Sequence, residues 1–159
     1  MRIIIAGSRD FNDYKILFRK CNEIFAQLSE EGLLTGSIIE DVKNMEIVSG
    51  GARGADKLGE LFAKEHDIKV KKFIPDWERQ GKSAGYKRNE QMALYAKEDN
   101  GILIAFWDGV SKGTNHMINL AKKYGLKVFV VNYKNTKGFI RAKNITKYLF
   151  GSNFEGDLK

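Results

Sequence analysis

Glu46-Ile47-Val48-Ser49-Gly50-Gly51-Ala52-Arg53-Gly54-Ala55-Asp56 is the stretch that decides the fold. It reads as a short apolar strand, a glycine-rich turn and a helix that starts near Ala55. Glycine tolerates positive φ and has no Cβ, so backbone N–H groups in such a turn can approach a ligand closely. The amino end of the helix adds unpaired N–H groups and a partial positive charge, which stabilise a phosphate placed there. Arg53 is positioned to add a bidentate contact. Asp56 either caps the helix or accepts a ribose hydroxyl, and capping, which needs no ligand, is the preferred reading. The glycine spacing is neither that of the P-loop nor the GxGxxG of dinucleotide-binding domains. Ser49, Gly50, Gly51, Arg53, Gly54 and Asp56 are candidate ligand-binding residues.

The same strand-to-helix unit recurs on both sides of this stretch. Apolar runs predict strands at 2–6, 46–49, 70–74, 102–106 and 128–131, and three- and four-residue apolar spacing predicts helices at 14–30, 55–66, 84–98 and 114–124. Alternation of this kind is the pattern of βαβ units. It predicts an α/β, Rossmann-like three-layer sandwich around a mostly parallel five-stranded sheet. One domain is expected over 1–150, closing with a helix at 138–150, followed by a C-terminal tail at 151–159. The glycines and serine at Gly32, Gly36 and Ser37 predict a surface loop or hairpin-like insertion over 32–44. Pro75 ends the third strand and opens a polar segment at 75–82, a candidate lid over a crevice.

In a parallel sheet the turns that follow strands gather on one edge, so two further turns join the first. Gly7, Ser8 and Arg9 follow the first strand: Gly7 for a sharp turn, Ser8 and Arg9 as donors. Trp107-Asp108-Gly109-Val110-Ser111-Lys112-Gly113-Thr114-Asn115-His116 follows the fourth, and Gly113 and Thr114 fall at a helix amino end, where they can hold a second phosphate or a sugar oxygen. Ser111, Asp108 and His116 share that crevice side, and Trp107 is either a core residue or a base-stacking one. Trp77 belongs to the candidate lid. Arg88 and Asn89 open the helix after it and point toward the crevice. Glu90, Asp108 and His116 are the candidates for any acid–base chemistry.

Composition narrows the alternatives. In 159 residues, 43% are hydrophobic and 30% charged, the balance of a single packed domain. The longest apolar runs, 3–6 and 102–107, are strand-sized and far below the ~20 residues of a membrane span. The start of the chain lacks the pattern of a secretory signal, so a cytoplasmic location is expected. Cys21 is the sole cysteine, and His66 and His116 are the only histidines, without metal-ligand spacing, so no metal is expected. The formal charge of +7 favours anionic partners. Many lysines, however, crowd the last third (Lys122, Lys123, Lys127, Lys134, Lys137, Lys143, Lys147), and they read as solvated faces rather than a groove-binding stripe.

Four motifs together resemble the SLOG superfamily, in its YspA-like branch: Gly7-Ser8-Arg9-Asp10-Phe11, Ser49 to Asp56, Ala84-Gly85-Tyr86-Lys87-Arg88-Asn89, and Gly109-Val110-Ser111-Lys112-Gly113-Thr114-Asn115-His116. The resemblance runs from Arg2 to Val131. It implies a Rossmannoid domain that senses or processes nucleotide-derived ligands. Its relatives include cytokinin-forming phosphoribohydrolases, DNA-processing protein A and antiviral systems whose SLOG domains bind ADP-ribose-type signals. It also implies pairing through helices beside the crevice, hence a homodimer or larger assembly. In the phosphoribohydrolases a glutamate follows the glycine–threonine turn and an arginine comes from the preceding helix. Arg88 matches the arginine, but Met117 stands where the glutamate belongs, and a thioether neither stabilises an oxocarbenium ion nor activates water.

The expected function is therefore binding of a nucleotide or nucleotide-derived ligand, such as an ADP-ribose-type signal, by a sensor or a sequestering protein that requires no cofactor. Sequestration suits a chain without an effector domain and would suit viral counter-defence. The alternative is an N-glycosidic or phosphoribosyl hydrolase, and the second alternative is a DNA-binding protein. No membrane partner is expected.

Overall fold

A computed structural model describes residues 1–134. The expected helix at 138–150, the tail at 151–159 and Lys137, Lys143 and Lys147 lie outside the described residues. Five strands, β1 (Arg2–Gly7), β2 (Glu46–Ser49), β3 (Lys69–Lys72), β4 (Ile102–Trp107) and β5 (Lys127–Asn132), form one sheet in the order β3-β2-β1-β4-β5. Every pairing is parallel, with Ile3 opposite both Ile47 and Ile102. The α/β, Rossmann-like arrangement is the one expected.

The near-continuous apolar run of β1 reflects burial on both faces. Ile3 and Ile5 join one core with Leu17, Phe25 and Phe62, while Ile4 and Ala6 join the other with Met92, Ala93 and Ile118. The first core lies under α1 (Tyr14–Glu30) and α3 (Ala55–Glu65), and the second under α5 (Ala84–Lys97) and α6 (Lys112–Lys123). Helix α1 begins where the carboxylate of Asp13 accepts from Ile16 N at 3.0 Å. It buries Leu17, Cys21, Ile24, Phe25 and Leu28, a stripe at helical spacing. In α3, Gly59 lets helix and sheet approach: a Cβ there would stand 2.7 Å from Ile5 Cγ2.

One segment differs from expectation, and a second takes a defined local fold. Residues 38–44, expected within a loop or hairpin-like insertion, form a helix, α2 (Ile38–Asn44). Its acids Glu40 and Asp41 sit in the first turn, where they favour the helix dipole. Buried Asp41 also turns back to accept from Thr35 N at 2.8 Å and Gly36 N at 3.2 Å, which ties the glycine turn to the helix. The segment expected as a lid is a folded turn, α4 (Trp77–Gln80) and a 3-10 turn at Gly81–Ser83, leading directly into α5. Asp76 caps it by accepting from Arg79 N at 3.1 Å. Among the described residues no helix is long and apolar enough to cross a membrane.

Candidate functional site

The chain runs from β1 outward to β3, then crosses over to place β4 on the other side of β1. This reversal splays the loops after β1 and β4 apart at the carboxyl edge and leaves a crevice between them, the position where ligands bind in open α/β sheets. Here it has a volume of about 510 Å³. Its walls come from the loops after β1, β2 and β4, from the Trp77–Gln80 turn and from the first half of α5. Gly7, Ser8, Arg9, Arg53, Asp56, Trp77, Arg88, Asn89, Asp108, Ser111, Gly113 and Thr114 all line it.

The loops are held by one another. A Cβ on Gly7 would stand 2.1 Å from the carbonyl oxygen of Phe106, so only glycine lets β1 turn beside β4. Ser8, buried, donates its N–H to that same carbonyl at 2.9 Å and accepts from Asp108 N through its hydroxyl at 3.2 Å. Asp108 accepts from Ser111 N at 2.8 Å and from Val110 N at 2.9 Å, and these amides hold its carboxyl below the usual carboxylate range. Gly54 has φ 84 and ψ −129, a conformation of glycine alone, and a Cβ there would meet the carbonyl oxygens of Ser8 and Arg9 at 2.5 and 2.6 Å.

A second set of bonds crosses the crevice floor. Arg88 donates to the Gly50 carbonyl through a terminal nitrogen and to Asn89 Oδ1 through Nε, at 3.2 Å for the latter. Asn89, buried, donates through Nδ2 to the Gly113 carbonyl and to His116 Nδ1, both at 3.2 Å. The β2–α3 loop and the start of α6 are thus joined through the first turns of α5. Because His116 Nδ1 accepts, its proton sits on Nε2, and burial lowers its pKa in keeping with a neutral ring.

Asp56 lines the crevice but is only 4% exposed. It does not sit at the cap position, which Gly54 occupies; instead its carboxylate reaches back to accept from Ala52 N at 3.2 Å. Burial pushes its pKa up to about 6, against the opposing pull of the Arg88 charge and of the Ala52 and Gly50 amides. Burial likewise lowers the pKa of Arg88, with the Asp56 charge opposing and the Arg9 charge adding to the shift. For this pair desolvation therefore outweighs mutual attraction.

The two helix amino ends differ. Ser111 caps α6, its hydroxyl accepting from Thr114 N at 3.4 Å, whereas α3 has no side-chain cap. Arg9 and Arg53, both exposed on the crevice wall, make no hydrogen bond or ion pair among the described residues.

The remaining candidates are not on the wall. Ser49 donates to Glu60 Oε1 at 2.8 Å and accepts from Gly51 N at 3.1 Å, behind the loop. Gly50 is packed under Arg88 and Asp56, where a Cβ would meet Arg88 at 2.3 Å and Asp56 at 2.8 Å. Gly51 lies against Ile74. His116 packs edge-on to Tyr86, ring centroids 4.5 Å apart. Exposed Glu90 accepts from the Tyr124 hydroxyl at 2.7 Å. Trp107 is partly buried and is not among the residues of the crevice wall. It packs on the α5–α6 core and donates through Nε1 to the Ser111 carbonyl at 3.1 Å. Asp10, Lys82, Tyr86 and Met117 line the crevice without having been singled out as ligand-binding. Asp10 and Tyr86 lie within the motifs quoted above and Lys82 and Met117 just beside them, which was the available signal. Among the described residues no group of three or more His, Cys, Asp or Glu is arranged to hold a metal.

Residues 1–80 match the model of the YspA, cpYpsA-related SLOG family. The chain belongs to that family. The match takes in the first two motifs and stops before those at 84–89 and 109–116. The Gene 61 protein of Mycobacterium phage D29 is 29% identical over 132 residues, which cover 80% of this chain and 93% of that protein. No solved structure gives a significant match. SLOG membership carries nucleotide-ligand binding as a general expectation, and the crevice of this member lies at the carboxyl edge where such ligands bind.

Proposed function

We propose that the crevice binds a phosphate-bearing, nucleotide-type small molecule and that the protein acts by holding it, as a sensor or a sequestering protein. One observation carries this reading. Two guanidinium groups without acidic partners among the described residues, Arg9 and Arg53, share the crevice with the amino end of α3, which has no side-chain cap. Unpaired cations beside free backbone donors form a strong anion site. A volume of about 510 Å³ is within the range of small-molecule pockets.

Calorimetric titration with AMP and ADP-ribose tests it. Arg53→Ala and Arg9→Ala are each expected to weaken binding roughly 10- to 100-fold, as for loss of a charge-assisted hydrogen bond, while the unfolding midpoint stays put because both side chains are exposed. Undiminished affinity in both variants would remove the reading. A DNA-binding protein would behave differently: its affinity would fall steeply with salt and follow the surface lysines.

Hydrolysis is the second reading, and Asp56 is the observation in its favour. It is the crevice carboxyl whose pKa is raised toward neutrality, as a general acid or base requires. Glu90, Asp108 and His116 are each engaged elsewhere, by Tyr124, by the 110–111 amides and by Asn89. Chromatography after prolonged incubation separates the readings. Ligand recovered intact supports binding; free base that accumulates with wild type and not with Asp56→Asn supports hydrolysis.

A further inference from the structure

Resting on the nucleotide-binding reading, we infer that Trp77 is the face on which the ligand's base stacks, and so the residue that separates base-bearing from base-free phosphates in this crevice. Trp77 is 50% exposed and Tyr86 45% exposed, and both line the crevice. Large aromatic rings left in water forgo the burial that stabilises them elsewhere in this fold, and an indole set in the wall of a polar cavity is a ready stacking face.

The indole is presented on a constrained segment. Asp76 caps its turn, Gln80 N donates to the Asp76 carbonyl at 2.9 Å, and Ser83 donates to the Gln80 carbonyl at 2.8 Å. The outer edge of the ring lies over Gly85, where even a Cβ would stand 3.5 Å from it. Neither the indole N–H of Trp77 nor the hydroxyl of Tyr86 makes a hydrogen bond among the described residues, so each is free to meet the polar edge of a ring. The cations come from other elements, Arg9 after β1 and Arg53 after β2. Aromatic and anionic recognition are thus divided between the α4–α5 segment and the first two loops, as a base joined to a phosphate through a sugar requires.

The test compares AMP with ribose 5-phosphate, which keeps the anion and lacks the base. Wild type is expected to bind AMP more tightly. Trp77→Ala should lose roughly 10- to 100-fold in AMP affinity, the usual range for removing a stacking side chain, with a much smaller loss for ribose 5-phosphate; Trp77→Phe should restore most of it. In Trp107→Phe, Trp77 is the one remaining tryptophan, and its emission should be quenched by AMP and not by ribose 5-phosphate. Equal loss for both ligands, or no loss of AMP in Trp77→Ala, would overturn the stacking assignment while leaving the anion site intact. A Trp77→Ala variant that changes the sedimenting mass without changing AMP affinity would reassign the exposed rings to a protein contact and also overturn it. If wild type binds neither ligand, the anion reading fails and the stacking assignment falls with it.

Discussion

Asp56 is the residue at which burial, charge and proton affinity meet. Its folded-state pKa of about 6 stands above the ordinary 3.8, so folding favours the neutral carboxyl. The sign follows from linkage: the contribution to stability is fully present below about pH 4 and is lost as pH rises through about 6, a change on the order of 3 kcal/mol or less. Urea unfolding between pH 4 and pH 7.5 is expected to show wild type losing more stability than Asp56→Asn over that interval, with no further difference above it. Parallel curves would show that Asp56 titrates normally. At this scale the sequence disclosed the residue types and not their partners. Ser8 was visible as a donor in a turn, but the amide it serves belongs to Asp108, far along the chain, and no local pattern encodes that pairing. Arg88 was visible as a crevice arginine, yet much of its hydrogen-bonding capacity goes to the Gly50 carbonyl and Asn89.

Among the elements, the long helices were readable because their apolar stripes repeat. Helix α1 has the bounds its periodicity predicts, α3 and α5 each end one residue earlier, and α6 starts two residues earlier and ends one earlier. Helix α2 was not readable: seven residues are too few to establish a period, and Gly36 and Ser37 ahead of it read as a break. The spacing of Ser37 and Glu40 is that of a capping box and was the available signal, although Ser37 makes no side-chain cap bond here. The glycine turns were recognised for the freedom they give a backbone, but the structure divides them. Gly54→Ala is expected to cost about 1–3 kcal/mol or more through its φ and its contacts with two carbonyls, and to abolish ligand binding by separating the loops. Gly113 has open space where a Cβ would go and lies inside α6. Gly113→Ala should therefore leave stability unchanged or raise it by up to about 1 kcal/mol, so its unfolding midpoint should not fall. Thermal unfolding of the two variants side by side checks both; equal destabilisation would contradict the division.

For the whole molecule, the order of the strands was beyond the reach of the pattern that revealed the strands themselves. Alternating units predict a parallel sheet, whereas the placement of β4 beside β1 depends on which apolar faces find each other. Edge strand β3 is exposed along its full length and reads Lys-Val-Lys-Lys, the charged composition that keeps an open edge from pairing with another chain. A Lys69→Val, Lys71→Val double variant is expected to fold yet to scatter light increasingly with concentration; a clear solution at all concentrations would show that the lysines are dispensable there.

The crevice lies where β1 and β4 part, so it straddles the suture between the half of the chain that builds β1 to β3 and the half that builds β4 and β5. A molecule seated there touches residues of both halves and fastens them a second time, as a reversible cross-link would. Occupancy then slows the local openings that exchange amide protons at the strand ends on either side, including those the molecule never touches.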